Sequence, residues 1–505
     1  MLVLESGLDV PHPHFQSLAD ALIESQRYHH PMSAAVSRML GGTLAFWGGR
    51  CVPLDEIDFV KRDFLSNSGW PITYTEVAQY ERRAAELLGC DDGRFTTDDL
   101  LSYKGNEVDF GKLERWVNET RIARLKAQLK SNDRIVILLN ATAVGICVEA
   151  GAQAIKGIKV AREGETAEFN RAHKYVLALG GIETARLLLN VQTEHPQLFG
   201  GVGGALGRYY MGHIGASFAK IRFFNPDQAA YFSNLNGTRS FSRRRLTFTA
   251  KTQLEHKFPN MAFLPENLPL SDPEHQSGFL SLAYLLLKSR ALNLPFIPEA
   301  IRTMQTATSA DCGPHFRNLF NDFRGLIAGA AEFGRQRFLY GRRSPRLFVK
   351  NPAGIYPLRV CSEQSPNPNN RVRLAFERDR LGMNRAIINF TFTPQDIAPI
   401  INALKVFDRS MKSLKIGQLM YDENIPSDDL LSLVAPDGLH QIGLTRMSND
   451  PSTGVVDRNC QIFDLKNLYI AGSSVFPTAG QANPTFPAVA LAMRLSENIS
   501  HRTVG

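Results

Sequence analysis

The sequence has no CxxC pair, no hydrophobic run long enough to cross a bilayer and no G-x-G-x-x-G loop. Its six cysteines, Cys51, Cys90, Cys147, Cys312, Cys361 and Cys460, are scattered singly. That spacing argues against an iron–sulfur cluster, a c-type haem, a structural zinc site and a disulfide scaffold. No metal site is therefore expected, and reduced thiols suit the cytoplasm. The longest apolar stretch, around Phe279 to Leu287, falls short of the roughly 18 residues a membrane span requires and reads as a buried helix. Gly200-Gly201-Val202-Gly203-Gly204 is glycine-rich, but position 206 is Leu and the phosphate-loop spacing fails. The net charge of +8 on 505 residues is a mild excess, read as a basic surface with no nucleic-acid partner. The main basic run, Arg243-Arg244-Arg245 with Arg239 just before it, reads as a solvated loop or strand edge.

What is present is an α/β pattern too long for one hydrophobic core. Met1 to Glu5 reads as a buried parallel strand ending in an acid, followed by Ser6 and Gly7. Glycine-rich segments follow at Leu40-Gly41-Gly42-Thr43 and Trp47-Gly48-Gly49. Trp70-Pro71-Ile72 opens a helical stretch running to Leu88, and residues 134–150 read as two strands turning at Asn140. Lys174 to Ala178 is a short strand running through Gly180-Gly181 into a helix, an arrangement that holds phosphates in doubly wound sheets. From 215 to 400 the character changes to alternating strands mixed with helices, the mark of a second, α+β domain with an antiparallel sheet. After 440 the chain returns to strand, loop and helix. The expected division is 1–214 and 401–505 for a cofactor-binding domain, with 215–400 facing the substrate.

The chemistry concentrates in the last sixty residues. Asn467 to Ala471 is a buried strand delivering Gly472, Ser473 and Ser474 to a loop whose backbone N–H groups suit an anion. Pro484 and Thr485 open the last helix, where the dipole favours negative charge such as that of a reduced flavin. A His beside a hydrogen-bonding amide takes the proton of an alcohol as hydride leaves its carbon; His440 and Asn483, 43 positions apart, are residues of these two types, though each alone reads as an ordinary core, surface or turn residue.

The block from His440 to Leu495 resembles the carboxyl-terminal signature of the glucose-methanol-choline oxidoreductases. The resemblance implies His440 as catalytic base and Asn483 as its partner. LGGT with FWGG (40–49), GWPI (69–72), LNATAV (139–144), LALGGIETARLLL (177–189), GRYYMGH (207–213) and EQSPNPNNRVRL (363–374) fall in the family's order. By resemblance the cofactor is FAD in a Rossmann-like domain, contacted by Gly41, Gly42, Thr43, Trp47, Gly48, Val144, Gly180, Gly181, Gly472, Ser473, Pro484 and Thr485. Glu5 is placed as the ribose-binding acid, and Gln364 as a substrate contact. The substrate implied is a sugar or polyol, with electrons leaving to oxygen, a quinone or a carrier.

Two departures from the family pattern stand out. Phe46 occupies the place before Trp47 where members with a covalently attached flavin carry a His, so a non-covalent cofactor is expected. The dinucleotide loop belongs about 20 residues before Glu5, hence before Met1, so the central strand and its loop are expected to be missing from this chain. A flavin-free binding protein and a non-redox lyase on the same fold are the alternative readings.

Overall fold

Alternation along the chain decides the largest element. In the computed structural model, which describes all residues except 91, 99–106, 118–119, 150, 152, 163, 233–234, 237–239, 290–310, 336–347, 423 and 502–505, eight strands form one antiparallel sheet. Its order is Gly417–Met420, His213–Phe223, Ile355–Glu363, Met261–Pro265, Phe241–Phe248, Val108–Trp116 and Arg50–Cys51, with Leu235–Asn236 beside Phe241–Phe248. The sheet thus draws strands from well outside 215–400.

Side chains alternate across a strand, and the two faces differ sharply. Leu246, Phe263 and Val360 share the apolar face. They pack in one core with Ile397, Ile400, Leu404 and Phe407 of the 20-residue helix Pro394–Ser413. Phe263 and Phe407 stack with ring centroids 4.2 Å apart. That helix starts where the sequence dictates: Thr393 and Asp396 form a capping box and Pro394 occupies the first turn. The opposite face carries His213, Glu363, Cys361, Arg245, Arg243 and Glu114.

The Arg243-Arg244-Arg245 expectation is overturned here. These residues lie inside the Phe241–Phe248 strand and are 4%, 2% and 1% exposed. Burial is possible because Glu114 stands in register on the neighbouring strand and accepts from Arg243 and Arg245 at 2.7 and 2.5 Å. Arg239 lies outside the described residues.

The cofactor-side elements are short parallel ribbons. Leu2–Leu4 pairs with Val136–Leu138, and Tyr175–Leu177 with Leu468–Ile470. No hydrogen-bonded strand joins the two ribbons among the described residues. The first strand is therefore not the buried one expected: Met1 and Leu2 are 74% and 45% exposed, since the strand has a neighbour on one edge only. The turns match their residues. Asn140 (φ 53°) separates Val136–Leu138 from Thr142–Val148, and Gly180 (φ 83°) turns the chain into the helix Gly181–Glu194. Among the described residues no helix is long and apolar enough to cross a membrane.

Candidate active site

Residues 437–440 form a tight turn after an irregular segment, and Asp437 organises it. Its Oδ1 accepts the backbone N–H groups of Leu439 (3.1 Å) and His440 (3.2 Å), the usual way an aspartate closes a turn. Its Oδ2 accepts the His213 backbone N–H at 2.7 Å and lies 2.9 Å from His440 Nδ1. Burial alone would raise the Asp437 carboxyl. His440, His213 and these N–H donors outweigh it and hold the group well below the ordinary carboxylate range.

An ionised Asp437 accepts a hydrogen bond from His440 Nδ1–H and so keeps the proton on that nitrogen, which leaves Nε2 bare. Asn483 Nδ2 donates to that nitrogen at 3.0 Å. The amide and the base predicted 43 positions apart are thus in contact, and the His440 side chain keeps 22% exposure. His213 stands against the other side, its Nδ1 3.1 Å from His440 Nδ1 and its ring edge-on to the His440 ring. Burial first, then the nearby His440, push His213 down to about 3, so it is a neutral wall at ordinary pH. The ligand atoms of His213, Asp437 and His440 all lie within 4.8 Å of one another, close enough for a shared cation. In the arrangement described, the His440 Nδ1 proton fills that place.

Gln441, missed in the sequence, ties the site to both phosphate-type turns. Its Oε1 accepts the Ile182 N–H at 3.0 Å, and its carbonyl accepts Ser473 Oγ at 2.9 Å. A side chain at Gly181 would collide with it, since an added Cβ would lie 2.7 Å from Gln441 O. Asp437 was missed as well, lying three positions before the block that begins at His440, and His213 was legible only as the last residue of GRYYMGH.

The remaining expected residues fall into groups. Gly472 (φ 144°) and Gly48 each present open backbone, with no heavy atom within 4 Å of an added Cβ. Pro484 and Thr485 stand at the start of the 17-residue helix Thr485–His501, next to Asn483. Gly41 (φ 91°) and Gly42 (φ 56°) bend the loop whose Thr43 Oγ1 accepts the Ser37 N–H at 3.3 Å. Trp47 and Val144 are half-buried against the core. Glu5 closes the end of its strand, accepting the Gly7 N–H at 2.8 Å, and burial raises its carboxyl. Gln364 is not offered to a substrate. Its Oε1 accepts the Gly212 N–H at 3.0 Å and its Nε2 donates to Thr391 O at 2.7 Å, so it is consumed in holding the turn before His213.

These groups fit one end of a flavin dinucleotide. Open glycine backbone and a helix N-terminus beside Asn483 suit a planar ring whose edge gains negative charge. Among the described residues no third strand pairs with either of the two parallel ribbons.

Residues 366–492 match the family model for GMC oxidoreductase. The chain is 36% identical over 350 residues to 2-methyl-1,2-propanediol dehydrogenase of Mycolicibacterium austroafricanum, covering 68% of this chain and 50% of that protein. It is 27% identical over 135 residues to paromamine 6'-oxidase of Streptomyces fradiae, covering 27% of this chain and 24% of that protein. The matches therefore span from a quarter to a half of these relatives. A fungal aryl-alcohol oxidase shares the fold at a TM-score of 0.51 and 10% identity, over 100% of this chain and 95% of that one. A formate oxidase does so at 0.50 and 14% identity, over 99% and 93%.

Proposed function

The chain is a relative of the GMC oxidoreductases, and we propose that it oxidises a CH–OH group of a sugar or polyol with non-covalently held FAD. FAD, when bound, supplies the hydride acceptor. His440 Nε2 takes the hydroxyl proton, the Asn483 amide holds the substrate oxygen, and Asp437 keeps the proton on Nδ1. The observation that carries this reading is the chain of contacts from Asp437 through His440 to Asn483, at 2.9 and 3.0 Å. Gly472, Ser473, Pro484 and Thr485 are assigned to the flavin ring; Gly41, Gly42, Thr43, Trp47 and Gly48 to the loop over it. Val144, Gly180, Gly181 and Glu5 are assigned to the adenosine side. Phe46 has no nucleophile for a flavin linkage, and electrons leave to oxygen, a quinone or a carrier.

The test is the visible spectrum of the purified chain. Flavin bands that bleach anaerobically with a sugar, about 100-fold more slowly in His440→Ala, support the reading. A flavin-free binding protein is favoured by the gap between the parallel ribbons; a chain that stays colourless with added FAD would move that reading to the front.

A further inference from the structure

The polar face of the eight-stranded sheet holds more positive than negative charge. Arg244 points to the other face, donating to Tyr231 O (3.0 Å) and Phe110 O (3.2 Å). Arg243 and Arg245 converge on Glu114, and Arg50 Nε stands 3.7 Å from the same carboxylate. Arg359 shares this face, in register with Ser217. Its Nη2 would lie 3.0 Å from a Cβ added to Gly215, so the guanidinium covers the position two residues along from His213. Four guanidinium groups thus face two carboxylates, Glu114 and Glu266, the latter 3.9 Å from Arg243 Nη1. The acids on the neighbouring stretch are engaged elsewhere. Asp55 pairs with Lys112 at 3.0 Å and Glu363 with Arg62, while burial, then Asp55 and Glu363, hold Asp58 protonated up to about 8.

Surplus buried cation is costly unless an anion joins it. Two signs of that surplus are on the face. The Nε atoms of Arg245 and Arg359 are buried without a hydrogen-bond partner. Burial would raise the Cys361 thiol, yet Arg359, Arg245 and Arg50 outweigh it and hold it below the ordinary value. Arg50 and Arg359 are the two of the four that are only partly buried. Arg243 and Arg245, at 4% and 1% exposure, act from behind.

We propose that the substrate is an anionic sugar or polyol, whose carboxylate or phosphate docks on Arg359 and Arg50 while its carbinol reaches His440. This rests on the reading of His440 as the base. Gly215, which the Arg359 guanidinium covers, is two positions along the strand from His213, whose ring meets that of His440. Guanidinium groups match either oxyanion through paired N–H donors.

Calorimetric titration of the purified chain, with FAD added, by glucuronate, glucose 6-phosphate and glucose tests this. At least one anion is expected to bind about tenfold or more tighter than glucose, and sulfate should displace that anion but not glucose. Preference for glucuronate assigns a carboxylate, and preference for glucose 6-phosphate a phosphate. In Arg359→Gln the ratio of anion to glucose affinity should fall to about one. If that variant does not fold, the sulfate competition on the unaltered chain decides. Glucose binding as tightly as both anions, or an advantage that survives both sulfate and Arg359→Gln, overturns the proposal. Flavin reduction in the same samples separates the two readings. Reduction by glucose without any anion preference sinks this proposal alone; an anion preference without flavin reduction sinks the oxidoreductase reading and leaves only the anion site on the arginines.

Discussion

Asp437 Oδ2 lies 2.9 Å from His440 Nδ1, and the same carboxylate accepts three backbone N–H groups, from His213, Leu439 and His440. An acceptor-only group is required at every one of these contacts. Asp437→Asn puts an NH2 against at least one donor and removes the anion that holds the proton on Nδ1. Flavin reduction by substrate should slow about 100-fold or more. Nitrogen-15 spectra of the His440 imidazole should show loss of the Nδ1–H form. Unchanged kinetics together with an unchanged tautomer would sink the positioning role.

The two glycines at 180 and 181 are expected to fail differently. Gly180 has φ 83° and ψ 164°, a region almost reserved to glycine, and an added Cβ meets nothing closer than 3.6 Å, so Gly180→Ala strains only the backbone, by about 1–3 kcal/mol. Gly181→Ala places a methyl 2.7 Å from Gln441 Cβ and Gln441 O. Overpacking of this kind costs about 1–3 kcal/mol, and the residue that must move is the neighbour of His440. Both variants should lower the urea midpoint. Gly181→Ala alone should also slow the chemical step, read as a fall in kcat that Gly180→Ala does not share. Equal effects of the two on turnover would contradict the coupling through Gln441.

Much of the site was legible because its parts lie in compact segments with strong local signals. The His440-to-Asn483 spacing, the Gly180-Gly181 turn and the final helix are each set by neighbours along the chain. What was hidden depends on register. Arg243, Arg244 and Arg245 read as solvated because three adjacent charges defeat any buried pattern. Glu114, 129 positions from Arg243, and the carbonyls of Tyr231 and Phe110 beside Arg244 make their burial tolerable. His213 reaches His440 across 227 positions, and nothing local gives its ring that partner. Met1 to Glu5 has the apolar look of an inner strand, but burial is a property of its neighbours, and on one edge it has none among the described residues.

Asp58 supplies a pH test of opposite sign to most carboxylates. Burial, then Asp55 and Glu363, raise it to about 8 in the folded chain, whereas the unfolded chain loses the proton near its ordinary 3.8. Between these values the folded state binds the extra proton, so this contribution to stability is full below about 4 and is lost as pH rises through 8. Asp58→Asn keeps the volume and removes the titration. Its urea midpoint should fall less steeply than that of the unaltered chain from pH 6 to 9. Parallel curves would mean that Asp58 is ionised in the fold.

His213 acts in the other direction. Burial and the neighbouring His440 hold it near 3 when folded, while the unfolded chain binds a proton at its ordinary 6.5. The unfolded state therefore binds the extra proton between about 3 and 6.5, and stability falls as pH drops through that window, by up to about 1.4 kcal/mol per pH unit for one proton. His275, pushed down to about 4 by burial and His315, adds to the slope. His213→Asn leaves the His275 part and removes the rest, so its urea midpoint should decline more gently from pH 6 to pH 4. A slope identical to that of the unaltered chain would mean that His213 is protonated in the fold, and then the ring beside His440 is a cation, not a neutral wall.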